Sequence, residues 1–156
     1  MKLVAKCYLL LLVVTVLLVA GCGGGKKVET LYSGGGWTVT LQNGKAQVLH
    51  YVGGKWVVDR SHGVKIEILG PKPGETLTAN PPQVAITMHA TTPLVESALW
   101  VDGNRLLEKG GGTPTNGTIY GAPLKLPPGK HTAVGYARTA FSGSAVAWTF
   151  MAPGTG

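Results

Sequence analysis

The sequence predicts an all-β fold, a β-sandwich of about seven strands preceded by a short three-strand β meander, and three observations predict it. Glycine and proline are abundant, at 24 and 10 residues, while only 13% of the chain is charged. These residues punctuate strands rather than fill helices. From Trp37 onward, short runs alternate apolar and polar side chains with period two, and turn pairs separate them roughly every 8–15 residues, with no helical periodicity.

The first residues have a different character. Met1 to Lys6 is short and basic, and Tyr8 to Ala20 is a run of 13 residues, apolar except for Thr15 and the Tyr8 hydroxyl. As a helix it would be ~20 Å long. That is short for a spanning segment and suits the core of a cleavable signal. Val19-Ala20-Gly21-Cys22 follows, an aliphatic residue, two small ones and a cysteine. This stretch resembles the lipobox of bacterial lipoproteins. The resemblance implies a signal peptide over 1–21, cleavage between Gly21 and Cys22, and a covalent diacylglycerol on Cys22, with no other cofactor. It implies a chain held on the extracytoplasmic side of a bacterial membrane, within the cell envelope. Gly23 stands where an aspartate would favour inner-membrane retention, so a diderm host would carry the protein on its outer membrane. The same segment also fits an ordinary secretory signal or an uncleaved anchor. Two acyl chains give stable anchoring at roughly 0.8 kcal/mol per buried CH₂. Residues 22–31 then read as a lipidated flexible tether, with Gly23-Gly24-Gly25 as random coil. Lys26 and Lys27 would each contribute around 1 kcal/mol beside anionic headgroups.

Residues 32–63 read as the meander. Trp37 to Gln42 alternates as a half-buried strand does, Asn43-Gly44 is a preferred type I′ turn, Lys45 to Val52 returns, and Gly53-Gly54 leads into Lys55 to Asp59. Trp37, Tyr51 and Trp56 are candidate glycan-stacking residues, because aromatic rings pack on the apolar faces of sugars. The competing reading makes the tryptophans the core of a small sheet.

Residues 64–156 carry the sandwich. Strands are expected at Val64 to Leu69, Val84 to His89, Ser97 to Asp102, Arg105 to Glu108, Thr118 to Leu126, His131 to Arg138 and Ala145 to Met151. Asp102-Gly103 serves as a hairpin turn and Gly110 to Gly117 as a loop. Pro73-Gly74, Pro82, Val101-Asp102-Gly103, Tyr120, Leu126-Pro127-Pro128-Gly129-Lys130-His131-Thr132, Ala137 and Trp148-Thr149-Phe150 occur in an order that resembles the bacterial Ig-like modules of surface proteins. The resemblance implies an Ig-like sandwich. Where many such modules have an acidic A-x-D-x-A-G-N turn, this chain has Ala137-Arg138-Thr139-Ala140-Phe141-Ser142-Gly143. Without a carboxylate there, a hard-cation site at that turn is not expected.

Alternation within the module frame turns Leu99, Val101, Ala133, Gly135, Ala137, Val146, Trp148 and Phe150 inward. Trp100, Val134 and Tyr136 then point outward on one sheet, bordered by Arg138. That face is either a candidate interaction surface or the seat of the meander, whose own apolar face needs cover.

Composition narrows the chemistry. Both cysteines, Cys7 and Cys22, lie at the N-terminus, so the body has no thiol for zinc or nucleophilic catalysis. His50, His62, His89 and His131 have no metal-binding spacing, and Met88-His89 would point to opposite faces of a strand. Asp59, Ser61 and His62 superficially suggest a triad, but no nucleophile elbow accompanies them. The acidic residues are scattered singly. Removing Lys2 and Lys6 from the formal net charge of +7 leaves about +5. The expectation is a non-enzymatic envelope lipoprotein that binds another envelope protein or acts as a spacer, with cell-wall glycan as the alternative partner, an enzyme with a site not visible in sequence as a further alternative, and no nucleic acid.

Overall fold

The computed structural model describes residues 27–153. The expected signal segment, Gly21 and Cys22 lie outside the described residues. The first antiparallel sheet contains β1 (Val28–Gly34), β2 (Trp37–Gln42), β3 (Lys45–Val52) and β4 (Lys55–Val58), in that order. The meander thus has four strands rather than three. Residues 28–31 of the expected tether belong to β1, where Val28 pairs with Gln42 and Glu29 with Leu41. A β-bulge between Thr30 and Tyr32 hides this strand from a period-two reading. It lets the adjacent Leu31 and Tyr32 both pack toward the interior. At the β2–β3 turn, Asn43 and Gly44 have φ of 51° and 72°, as a type I′ turn demands.

The sandwich follows as β5 (Val64–Gly70), β6 (Val84–Ala90), β7 (Leu94–Val101), β8 (Asn104–Arg105), β9 (Lys109–Thr113), β10 (Asn116–Gly121), β11 (Gly129–Thr139) and β12 (Gly143–Ala152). One sheet has the order β5-β6-β10-β9 and the other β12-β11-β7-β8. That is the Ig strand order, with β8 as a short additional edge strand. The expected return strand at 105–108 shrinks to two residues. The expected loop at 110–117 largely forms the β9–β10 hairpin. β9 is glycine-rich and carries no alternation to read. At Gly110 a Cβ would collide with the Thr118 carbonyl, so glycine permits the close approach of β9 to β10.

Between the two sandwich sheets lies one core, built on Ile86, Leu99, Val101, Ala133, Trp148 and Phe150. Its residues fall on the faces that alternation predicts. A second core lies on the other side of the β12-β11-β7-β8 sheet. There Trp37, Val39 and Val48 of the first sheet pack with Ala98, Trp100, Val134 and Tyr136. Trp100, Val134 and Tyr136 are only 1%, 2% and 0% exposed. They are therefore not an interaction surface for an outside partner. The meander's apolar face covers them, and the molecule is a three-layer stack of sheets. Tyr32 lies 5.8 Å from Tyr136, and Trp100 lies 6.3 Å from Tyr136, between ring centroids. Arg138, at the margin, is also engaged within the chain. Its Nε donates to Glu96 at 2.8 Å, and its guanidinium sits 5.7 Å over the Trp37 ring.

Contacts fix the direction of the cover. Glu29 lies against Gly103, whereas Gly35 lies beside Arg138. β1 therefore runs along the sandwich from the β7–β8 turn toward the β11–β12 turn. These are two poles, separated by roughly 23 Å, the rise of β11 from His131 to Arg138.

Replacing Trp100 with alanine should cost about 3–5 kcal/mol in urea unfolding, as for a large core side chain. The Tyr136 hydroxyl is buried without a hydrogen-bond partner. Tyr136→Phe should leave the unfolding midpoint unchanged or raise it, since the change deletes an unsatisfied polar group.

Candidate functional site

The aromatic residues singled out in the sequence separate in the structure. Trp37 is buried, stacked edge-on against His50 at 5.1 Å and against Val48 in the second core, so it cannot stack on a sugar. Tyr51 and Trp56 are exposed neighbours across the β3–β4 ladder. Their rings meet at 5.4 Å with an interplanar angle of 63°. Alternation places them on the outer face of the meander sheet, opposite the buried Trp37 and Val48. Lys55, Trp56 and Val57 are all exposed, so β4 is uncovered on both faces. Val52 and Phe141 are exposed as well, Phe141 at 77%. A groove of about 310 Å³ lies between Gly35 of the β1–β2 turn, His50, Tyr51 and Val52 of β3, and Phe141 of the β11–β12 turn. The sequence pattern flags Tyr51 and Trp56 but not Phe141. Phe141 lies outside any alternating run, and only the folded hairpin shows that it faces water.

A cleft of about 340 Å³ opens between the meander and the sandwich, lined by Asp59, Arg60, His62 and Ser144 and by the apolar Val48, Val58 and Val64. Its carboxylate is occupied. Asp59 accepts from the backbone N–H of Gly143 at 2.5 Å and of Ser61 at 2.8 Å, and the Ser61 hydroxyl donates to Ser142 Oγ at 2.6 Å. Burial opposes the charge on Asp59, yet these two amides hold its carboxyl below the ordinary range. Ser61 and Asp59 thus clamp the linker to the β11–β12 turn. Thr139 completes that turn from within, its Oγ1 accepting from the N–H groups of Phe141 and Ser142. The turn is thus tied by a local hydroxyl and by a carboxylate from 84 residues away.

The histidines do not converge. Among the described residues no group of three His, Cys, Asp or Glu side chains could hold a metal ion. Met88 is buried in the sandwich core, while His89 is exposed and its Nδ1 bonds Asn116 Oδ1 at 2.7 Å. His131 is buried at the opposite pole. Its Nδ1 lies 2.6 Å from Asp102 Oδ2 and its Nε2 2.8 Å from the Pro127 carbonyl. The other Asp102 oxygen accepts from the Thr132 N–H at 2.9 Å. Both acceptors require N–H groups, so this site favours the imidazolium. Desolvation works against that charge, but the carboxylate and the carbonyl prevail and raise the His131 pKa above its ordinary value. The separated V-D-G and G-K-H-T stretches are therefore halves of one clip. Among the described residues, no helix is long and apolar enough to cross a membrane.

No protein-family model and no curated protein sequence matches this chain. Among solved structures it is similar to CopC from Methylosinus trichosporium OB3b, at 14% identity over 59% of this chain and 97% of that one, with a TM-score of 0.40. It is also similar to Dpr2 Ig1-Ig2 in complex with DIP-Theta Ig1-Ig3, at 12% identity over 73% and 44%, with a TM-score of 0.43. A third is a tandem pair of titin Ig domains, at 7% identity over 83% of both chains, with a TM-score of 0.39.

The clip predicts a pH dependence with a definite sign. His131 has a folded pKa above its unfolded value of about 6.5. Its contribution is complete below about pH 6.5 and is lost as pH rises through the raised folded value. Urea midpoints followed from about pH 6 to pH 9 should fall in the wild type. In Asp102→Asn this decline should shrink, because the neutral amide no longer favours the imidazolium.

Proposed function

We propose that this chain is a lipid-anchored, non-catalytic Ig-like module of the bacterial cell envelope that binds another envelope protein through the pole remote from its anchor. The observation that carries the binding role is the exposed group of Tyr51, Val52 and Phe141 around one shallow groove, with exposed Trp56 packed against Tyr51 beside it. Aromatic and aliphatic groups gathered this way are characteristic of protein-interaction surfaces. The anchor rests on the lipobox at Cys22, and the non-catalytic reading on an Asp59 carboxylate already engaged by backbone amides. A role as spacer alone would leave these side chains without a use.

Glycan binding is the second reading, favoured by the exposure of Tyr51 and Trp56. Their 63° interplanar angle opposes it, because only one of the two rings can lie flat against a pyranose at a time. The mixture of aliphatic and aromatic groups suits a protein partner better.

The test is crosslinking of the full chain in native membranes, followed by identification of the adducts. A double variant, Tyr51→Ala with Trp56→Ala, should lose the adducts that the wild type forms while keeping its Tm. Unchanged adducts in the variant would contradict the assignment of this pole. In parallel, tryptophan emission titrated with cell-wall polysaccharide should stay flat, and a saturable change that requires Trp56 would favour the glycan reading instead.

A further inference from the structure

The pole that carries the β7–β8 turn has a feature that folding does not explain. Leu107 and Leu124 are 93% and 91% exposed. They lie on one groove of about 510 Å³, between the strand that follows Asp102-Gly103 and the loop at 122–127. Side chains so exposed contribute almost nothing to the core and leave a branched apolar surface in water. Arg105 and Lys125 line this groove, Lys109 lines a neighbouring one with Leu107, and Lys130 follows the 122–127 loop at the start of β11; all four are exposed. Lys109, Lys125 and Lys130 form no ion pair among the described residues, whereas Arg105 faces Glu108 at 3.4 Å.

This is also the pole at which the N-terminus arrives. Glu29 packs on Gly103, so the start of β1 lies beside the same turn. Six residue steps separate Cys22 from Val28, and Lys26 and Lys27 are among the residues between. Fully extended, such a segment reaches about 20 Å at most. A glycine-rich coil of that length would span roughly 13 Å on average, shorter than the separation of the poles.

We propose that this pole docks on the membrane itself, with Leu107 and Leu124 inserted at the level of the acyl-chain boundary and Lys109, Lys125 and Lys130 against anionic headgroups. The proposal rests on the lipid-anchor reading of Cys22. The short leash holds the leucine pole at the bilayer. Aliphatic side chains flanked by lysines match an interface whose depth is apolar and whose surface is negative. The leash, the leucines and the cations then act together and fix the orientation of the domain. The Tyr51–Trp56–Phe141 pole is turned away from the membrane, toward a partner.

The experiment uses the mature lipidated chain purified from membranes and reconstituted in vesicles of phosphatidylcholine and phosphatidylglycerol. Cys7 and Cys22 are the only cysteines. A cleaved, lipidated chain therefore has no free thiol, and Leu124→Cys or Phe141→Cys offers a single site for an environment-sensitive dye. Neither side chain is packed, so both variants keep the fold. Dye at position 124 should shift to the blue and lose emission to a doxyl-labelled lipid, while dye at position 141 should do neither. The loss at position 124 should weaken in vesicles of phosphatidylcholine alone and in the Lys109→Glu, Lys125→Glu background. Dye at position 124 that stays in water in a chain whose intact mass includes the lipid would overturn the proposal and leave the anchor reading standing. A blue shift that depends on protein concentration and ignores the lipid quencher would overturn it in favour of a second copy of the chain. Uptake of dye by the wild type, with an intact mass lacking the lipid, would remove the anchor reading and this proposal with it.

Discussion

Trp100, Val134 and Tyr136 make the outer face of the β12-β11-β7-β8 sheet nearly as apolar as its inner face, and the structure depends on covering it. An Ig-like sandwich ordinarily presents that face to water. Here two large aromatic side chains on it would incur a substantial hydration cost if exposed. The first four strands lay Trp37, Val39 and Val48 over them. Neither surface is complete alone. The meander is too small to bury its own residues by self-association, and the sandwich is too apolar on one side to stand without it.

From this cover follow the positions of the remaining features. The meander lies lengthwise, so β1 begins at the Asp102–His131 clip and the β1–β2 turn ends near Arg138. The linker after β4 returns to the sandwich at the β11–β12 turn, and there Asp59 accepts from the Gly143 N–H. The turn, the linker and the cover are mechanically one junction. At one pole the structure leaves leucines and lysines exposed, at the other Tyr51, Trp56 and Phe141. Of the two poles, β1 begins at the one with the leucines and lysines.

Much of this architecture is legible in the sequence because strands leave a period-two record wherever one face is buried. The inward set of Leu99, Val101, Trp148 and Phe150, and the outward set of Trp100, Val134 and Tyr136, both read off correctly. The reading fails where that record is broken. β1 is missed because its bulge turns Leu31 and Tyr32 the same way. β9 is missed because three successive glycines carry no pattern. The site is less legible than the fold. Trp37 and Trp56 look equivalent as strand aromatics, and only the packing shows one buried and the other exposed. The choice between an open outer face and a covered one depends on tertiary contact, which local pattern does not encode. Asp59 and His131 attract attention as polar residues near possible chemistry, and both prove to be ties between distant segments.

Because the meander and the sandwich share a core, they should unfold together. Native-state hydrogen exchange tests this most directly, by comparing the slowest amides of β2 and β3 with those of β7 and β11 across low concentrations of denaturant. Equal exchange free energies with the same denaturant dependence are the predicted result. Exchange of β2 and β3 at a distinctly lower free energy, while β7 and β11 remain protected, would show that the cover opens on its own and would contradict the account.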